Sequence, residues 1–168
     1  VIAAVARALA DNEKANCVWQ DGEILALGSI DVGVAVNTEN GLYAPLVRDL
    51  KGRGIASIAA VARTMVEKTR DGRLSSEDMT GGATTVSNAG MFDVTYMSSI
   101  INPGQSSILG GGSIREIFRP NKRGKPVLKQ EMGLVLSCDH RIFDGVSGLA
   151  FLNSIKSYLE KPLRLLVN

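Results

Sequence analysis

The sequence predicts a single α/β domain on a mixed, mostly antiparallel sheet. Three observations carry this. Segments with helical spacing stand near the start, in the middle and at the end of the chain. Short apolar segments of extended character lie between them, without the strict alternation that an all-parallel sheet requires. A turn-rich stretch, Arg119 to Lys125, lies between two extended runs and reads as a hairpin loop. With 168 residues, 45% of them apolar and 21% charged, the chain is long enough for one domain with a real core.

The elements follow in order. Val1 to Ala10 is Ala-rich and helical. Cys17–Trp19 and Glu23–Leu27 are short strands around a turn at Asp21-Gly22. Ile30 to Asn37 alternates through Val32, Val34 and Val36, a half-buried strand. Gly41 to Val47 continues extended, and Pro45 places it at an edge or a bulge. Ile55 to Arg70 is an amphipathic helix with Ile55, Ile58, Ala59, Ala62, Met65 and Val66 on one face. Leu74 to Met79 is a helical turn capped by Ser75 or Ser76. Strands are expected at Ala83–Val86, Ser106–Leu109, Ile114–Phe118, Pro126–Gln130 and Leu134–Cys138. A last helix runs from Gly145 to Leu159 and stops before Pro162.

Composition excludes several classes. Net charge is only +2 and aromatic residues are 5%, so no nucleic-acid partner is expected. No apolar run is long enough to cross a bilayer. The two cysteines, Cys17 and Cys138, lack metal-ligand spacing, and no metal is expected. The chain opens at Val1 inside a helical pattern, so a piece of a longer chain is expected.

The candidate chemistry centres on the one histidine. His140 lies in Asp139-His140-Arg141-Ile142-Phe143-Asp144-Gly145, after an apolar run that reads as a buried strand. An imidazole can accept and return a proton near neutral pH. On spacing alone a satisfied structural residue is the slightly better reading of a lone histidine. Ser87, on a turn after a strand, is either a donor to an oxyanion or a turn former. Cys138 and His140 could be drawn as a thiolate–imidazole pair, although parallel side chains on one strand make poor geometry, and a buried inert cysteine is the better choice. Gly110-Gly111-Gly112 lacks the spacing of a nucleotide-binding turn, and close packing explains it better. The cations of Arg119–Lys125 read as a solvated hairpin tip.

Four segments then resemble one family. Asp139-His140-Arg141-Ile142-Phe143-Asp144-Gly145 resembles the D-H-R-x-x-D-G signature of dihydrolipoyl acyltransferases, the core subunits of 2-oxoacid dehydrogenase complexes. Ser87-Asn88-Ala89-Gly90-Met91-Phe92 is similar to their S-N-x-G-M-F segment. Ile100-Ile101-Asn102-Pro103-Gly104-Gln105 is similar to I-I-N-P-P-Q, with Gly104 in place of the second proline. Asp31–Val36 and Gly41–Val47 resemble the family's paired strands. The match runs in order over essentially the whole chain.

The resemblance implies a chloramphenicol-acetyltransferase-like fold with flanking helices. It implies homotrimers with active sites between subunits, assembled into a larger core with lipoyl domains and dehydrogenase components. It implies transfer of an acyl group, acetyl above others, between dihydrolipoyl thioester and coenzyme A. His140 would then be the general base, Ser87 the oxyanion donor and Asp144 a supporting group paired with an arginine. Asn102 and Gly145 would contact substrate, Gly145 by allowing close backbone approach. The expected domain is 1–168, a catalytic domain without its N-terminal portion and without lipoyl or subunit-binding domains, so the lipoyl group comes from another domain. The family places such proteins in the bacterial cytoplasm or the mitochondrial matrix. Two alternatives stand beside this: a non-catalytic structural core subunit, and a cysteine hydrolase using Cys138 with His140.

Overall fold

The structure, a computed structural model, describes residues 1–166. Helix α1 (Ile2–Asp11) forms because alanine costs least in a helix, and it buries Ala4, Val5, Ala8 and Leu9. The hairpin of β1 (Cys17–Gln20) and β2 (Glu23–Ala26) follows. Next come β3 (Val32–Val34), β4 (Val36–Thr38), β5 (Gly41–Tyr43), β6 (Leu46–Val47) and helix α2 (Ile55–Arg70). The chain continues through β7 (Thr84–Asn88), β8 (Ser107–Pro120), β9 (Pro126–Cys138) and helix α3 (Gly145–Glu160).

The main sheet has the order β6-β3-β7-β8-β9. Its two inner pairings, β3/β7 and β7/β8, are parallel, and the outer two are antiparallel. One face packs on the helices. Val32, Val86 and Leu109 from the sheet meet Val5 and Leu9 of α1 and Phe151 and Ile155 of α3. The other face carries Thr85 and Ser87 on β7 and, in register with them, Ile108 and Gly110 on β8.

Three expectations change. Ile30–Asn37 is not one strand: after Ala35 the chain leaves the main sheet, and β4 pairs with β5 instead. Gly41–Val47 likewise divides at Ala44-Pro45, and Pro45 does precede the edge strand β6. The four short strands expected between Ser106 and Cys138 are two long ones, 14 and 13 residues. Gly110–Gly112 does not end a strand, because Gly110 and Gly111 stay paired to β7 and β9.

Candidate active site

His140 stands just beyond the last rung of β9. Asp139 begins the turn, with its N–H donating to the Ser106 carbonyl at 2.8 Å and its carbonyl accepting from Ile142 and Phe143 at 3.0 Å each. Phe143, 2% exposed, stacks on Phe151 with centroids 6.2 Å apart, which ties the turn to α3. His140 itself is exposed, and no hydrogen bond to its imidazole is found among the described residues.

The residues flanking it are bound to each other. Arg141 Nε and Nη2 fork onto the Asp139 carboxylate at 3.0 and 2.5 Å, and the Arg141 N–H donates to Asp139 Oδ1 at 3.0 Å. The Arg141 side-chain hydrogen bond holds the Asp139 carboxyl below the usual range. The guanidinium lies 5.3 Å from the ring centroid of half-buried Trp19.

Asp144 is the N-cap of α3. Its Oδ1 accepts from the Ser147 N–H at 2.7 Å and the Ser147 hydroxyl at 2.8 Å, while Ser147 Oγ accepts from the Asp144 N–H at 3.0 Å. This reciprocal capping box satisfies donors that the first helical turn leaves free. The bonds from Ser147 pull the Asp144 carboxyl below its usual range. Among the described residues the carboxylate is thus engaged by a helix cap; the arginine partner is expected in the N-terminal portion that this sequence does not include. At Gly145 a Cβ would meet no atom within 4 Å, so the space beside the start of α3 is open.

The Ser87 end is assembled differently. Residues 89–106 run irregularly across the sheet face that carries Ser87. A Cβ at Gly110, Gly112 or Gly133 would overlap a carbonyl oxygen of Met97 or Thr95, so these glycines form a seat for that strap. Ser113 pins it, donating from Oγ to the Gly90 and Val94 carbonyls at 3.0 and 3.1 Å. Asn102 closes the strap. Its Nδ2 donates to Thr85 Oγ1 at 3.0 Å, and Thr85 Oγ1 donates to Gln105 Oε1 at 2.6 Å. Thr85 and Ser87 are two residues apart on β7, so Asn102 and Ser87 share a face. Gly104 sits at φ 80° in the turn closed by the Gln105 N–H on the Asn102 carbonyl. With that φ the position does not admit proline. Beyond the seat Met91, Phe92, Tyr96 and Ile100 are left exposed, Ile100 at 92%.

The structure brings Ser87 and Asn102 together, and His140, Asp144 and Gly145 together, but it separates the two groups. Thr84, Ser107 and Cys138 form one rung. Ser87 lies three residues along β7 from that rung and two strands across, about 14 Å from Cys138. His140 lies beyond Cys138 on the far side. Neither side chain reaches the other's reacting atom, since both must come within ~3 Å of it.

Cys138 is half-buried against α3, where a Cβ on Gly148 would lie 3.6 Å from Sγ. Burial pushes its thiol up to about 11, so the cysteine-hydrolase alternative lacks its thiolate. At the hairpin tip Arg119 forks onto Glu131 at 2.8 Å. No group of His, Cys, Asp and Glu suited to a metal occurs among the described residues, and no described helix is long and apolar enough to cross a membrane. Sequence reasoning missed the Asp139–Arg141 fork with Trp19. Opposite charges flanking a histidine were the available signal.

Comparison with known proteins places this geometry. A family model described as 2-oxoacid dehydrogenases acyltransferase (catalytic domain) matches residues 1–167. The chain is 36% identical to the dihydrolipoyllysine-residue acetyltransferase component of the mitochondrial pyruvate dehydrogenase complex of Dictyostelium discoideum, covering 99% of this chain and 27% of that protein. It is 40% identical to the succinyltransferase component of the 2-oxoglutarate dehydrogenase complex of Haemophilus influenzae, covering 99% and 40%. The chain therefore spans well under half of these relatives. A probable dihydrolipoamide acetyltransferase from Listeria monocytogenes superposes with a TM-score of 0.88 at 33% identity, covering 95% of this chain and 68% of that one. A chloramphenicol acetyltransferase superposes at 0.57 with 17% identity, covering 94% and 74%, which establishes the shared fold.

Proposed function

The chain belongs to the acyltransferase family of the 2-oxoacid dehydrogenases, matching its catalytic domain, and we propose that it moves an acyl group between a dihydrolipoyl thioester and coenzyme A at a site shared by two copies. The observation that carries this is the separation of His140 and Ser87 on one sheet. A base and an oxyanion donor that cannot meet within a chain can meet when the His140 end of one copy faces the Ser87 end of the next. A head-to-tail contact of that kind closes into a ring, here a homotrimer, and trimers pack into the larger core. Exposed Met91, Phe92, Tyr96, Ile100, Ile114 and Phe118 supply the apolar area such contacts bury.

The chemistry is that of direct thioester exchange. The coenzyme A thiol resembles cysteine, with a pKa of about 8.5, so little of it is thiolate at neutral pH. His140 takes the thiol proton as sulfur attacks the acyl carbon. The carbonyl electrons move onto oxygen, and Ser87 of the facing copy donates a hydrogen bond to that oxyanion. The oxyanion then reforms the carbonyl, the carbon–sulfur bond to the dihydrolipoyl group breaks, and that sulfur recovers the proton from His140. One thioester is exchanged for another, so no covalent enzyme intermediate is needed. Asp144 fixes the start of α3 beside the base. Gly145 leaves room there for substrate, and Asn102 lies on the face that Ser87 presents. The lipoyl arm comes from another domain, and the partners are lipoyl domains and the dehydrogenase components. Acetyl is the favoured acyl group. The bacterial cytoplasm or mitochondrial matrix is the proposed setting, after the relatives.

The test is complementation in the full-length protein. His140→Ala and Ser87→Ala copies are each assayed for acetyl transfer from acetyl-CoA to dihydrolipoamide, then co-assembled. Mixed rings regain activity, since some interfaces pair an intact histidine with an intact serine. Absence of recovery overturns the shared site. Undiminished activity in His140→Ala would remove the proposed base, and absence of transfer by the wild-type assembly would instead favour the structural-subunit alternative. Faster transfer from succinyl-CoA would correct the acyl group.

A further inference from the structure

His140 must face a second copy, so its own chain offers the imidazole no partner to aim it. What the chain does hold is the backbone on either side. Asp139 and Arg141 are joined across His140 by the guanidinium fork and by the Arg141 N–H on the same carboxylate. These bonds close a short loop with His140 at its apex. Asp139 is anchored behind by its N–H on the Ser106 carbonyl. The Arg141 side chain is 59% exposed, whereas that of Asp139 is 15% exposed. A pair so exposed on one side contributes little to stability by charge alone. Yet the guanidinium lies against the indole of Trp19, a residue far away in sequence on β1. A guanidinium held over an aromatic face is limited in where it can go, and its two-pronged grip on a carboxylate is one that a lysine ammonium cannot make.

We propose that the Asp139–Arg141 fork, braced on Trp19, is a bracket that aims His140 across the subunit boundary, making Arg141 and Trp19 positioning residues for the general base. This rests on the role given to His140 above. The bracket acts on orientation and leaves substrate binding alone. Its loss therefore lowers kcat while both KM values hold.

The experiment uses the full-length assembled protein carrying Arg141→Lys, Trp19→Leu and Trp19→Phe, with His140→Ala as control. Acetyl transfer to dihydrolipoamide is measured over a range of both substrates. Arg141→Lys and Trp19→Leu are expected to lower kcat about 10- to 100-fold, the range a small misplacement costs, with both KM values within about twofold. Trp19→Phe, which keeps a flat face, restores most of the rate. Thermal melting and particle mass stay at wild-type values in Arg141→Lys, which separates aim from folding. Wild-type kcat in both Arg141→Lys and Trp19→Leu, with His140→Ala inactive, overturns the bracket and leaves the base in place. A rise in KM at constant kcat assigns Arg141 to substrate binding and also overturns it. Wild-type activity in His140→Ala removes the base itself, and with it the premise.

Discussion

At one end of the central sheet, where β9 finishes at Cys138, the chain is held by added groups. A carboxylate fork, a helix cap and a stacked phenylalanine pair fix the turn around His140. At the other end, where β7 reaches Ser87, the chain is held by groups taken away. Three missing side chains let the strap of residues 94–97 lie flat, and the hydroxyl of Ser113 and the amide of Asn102 fasten it. Hydrogen bonds orient a loop that must project. A glycine seat lets a long irregular segment sit close to a sheet. The difference teaches that each end is held in place by contacts within its own chain, by opposite means. At the proposed shared site, ends held in this way would let two copies meet without reorganising.

The largest expected effect breaks the comparison at its chemical level. His140→Ala lowers kcat by about 10²- to 10⁴-fold as a lost base, and Ser87→Ala by about 10²- to 10³-fold as a lost oxyanion donor. Steady-state kinetics with fixed acetyl-CoA checks both. If only one of them matters, the two ends are not partners in one site. A smaller effect probes the seat. Gly112→Ala puts a methyl into the carbonyl of Thr95 and costs about 1–3 kcal/mol of overpacking, read by urea denaturation. Activity falls with it, because the strap over Ser87 must shift, while the fluorescence of Trp19 beside Arg141 stays unchanged. A change at Trp19 would mean that the ends are coupled through the sheet.

The smallest effect concerns the cap. The Asp144 carboxyl titrates below its usual range because the charged form accepts hydrogen bonds from Ser147. Its contribution is present above the unfolded carboxylate value of about 3.9 and is lost as pH falls through the lower folded value. Asp144→Asn should lower Tm at neutral pH. The gap to wild type should narrow as pH falls below about 4. A gap that stayed constant with pH would assign the cap no charge-dependent role.

The local pattern of residues already determined much of this. The spacing of Ile55–Arg70 and Gly145–Leu159, the edge position signalled by Pro45, and the inert character of Cys138 follow from period, ring chemistry and burial, which are local properties. The segments around Ser87 and His140 made the family legible as well, because they resemble its motifs in order along the chain. Tertiary structure alone decided the rest. Whether Gly110–Gly112 ends a strand depends on a strap drawn from residues 94–97. The partner of Asp144 depends on where α3 starts, and the support for Arg141 comes from Trp19 on another hairpin. These are contacts between distant segments, and a one-dimensional pattern records no distances between them. The separation of His140 from Ser87 belongs to the same class. It is set by strand order and register, and it is the ground on which the shared site is proposed.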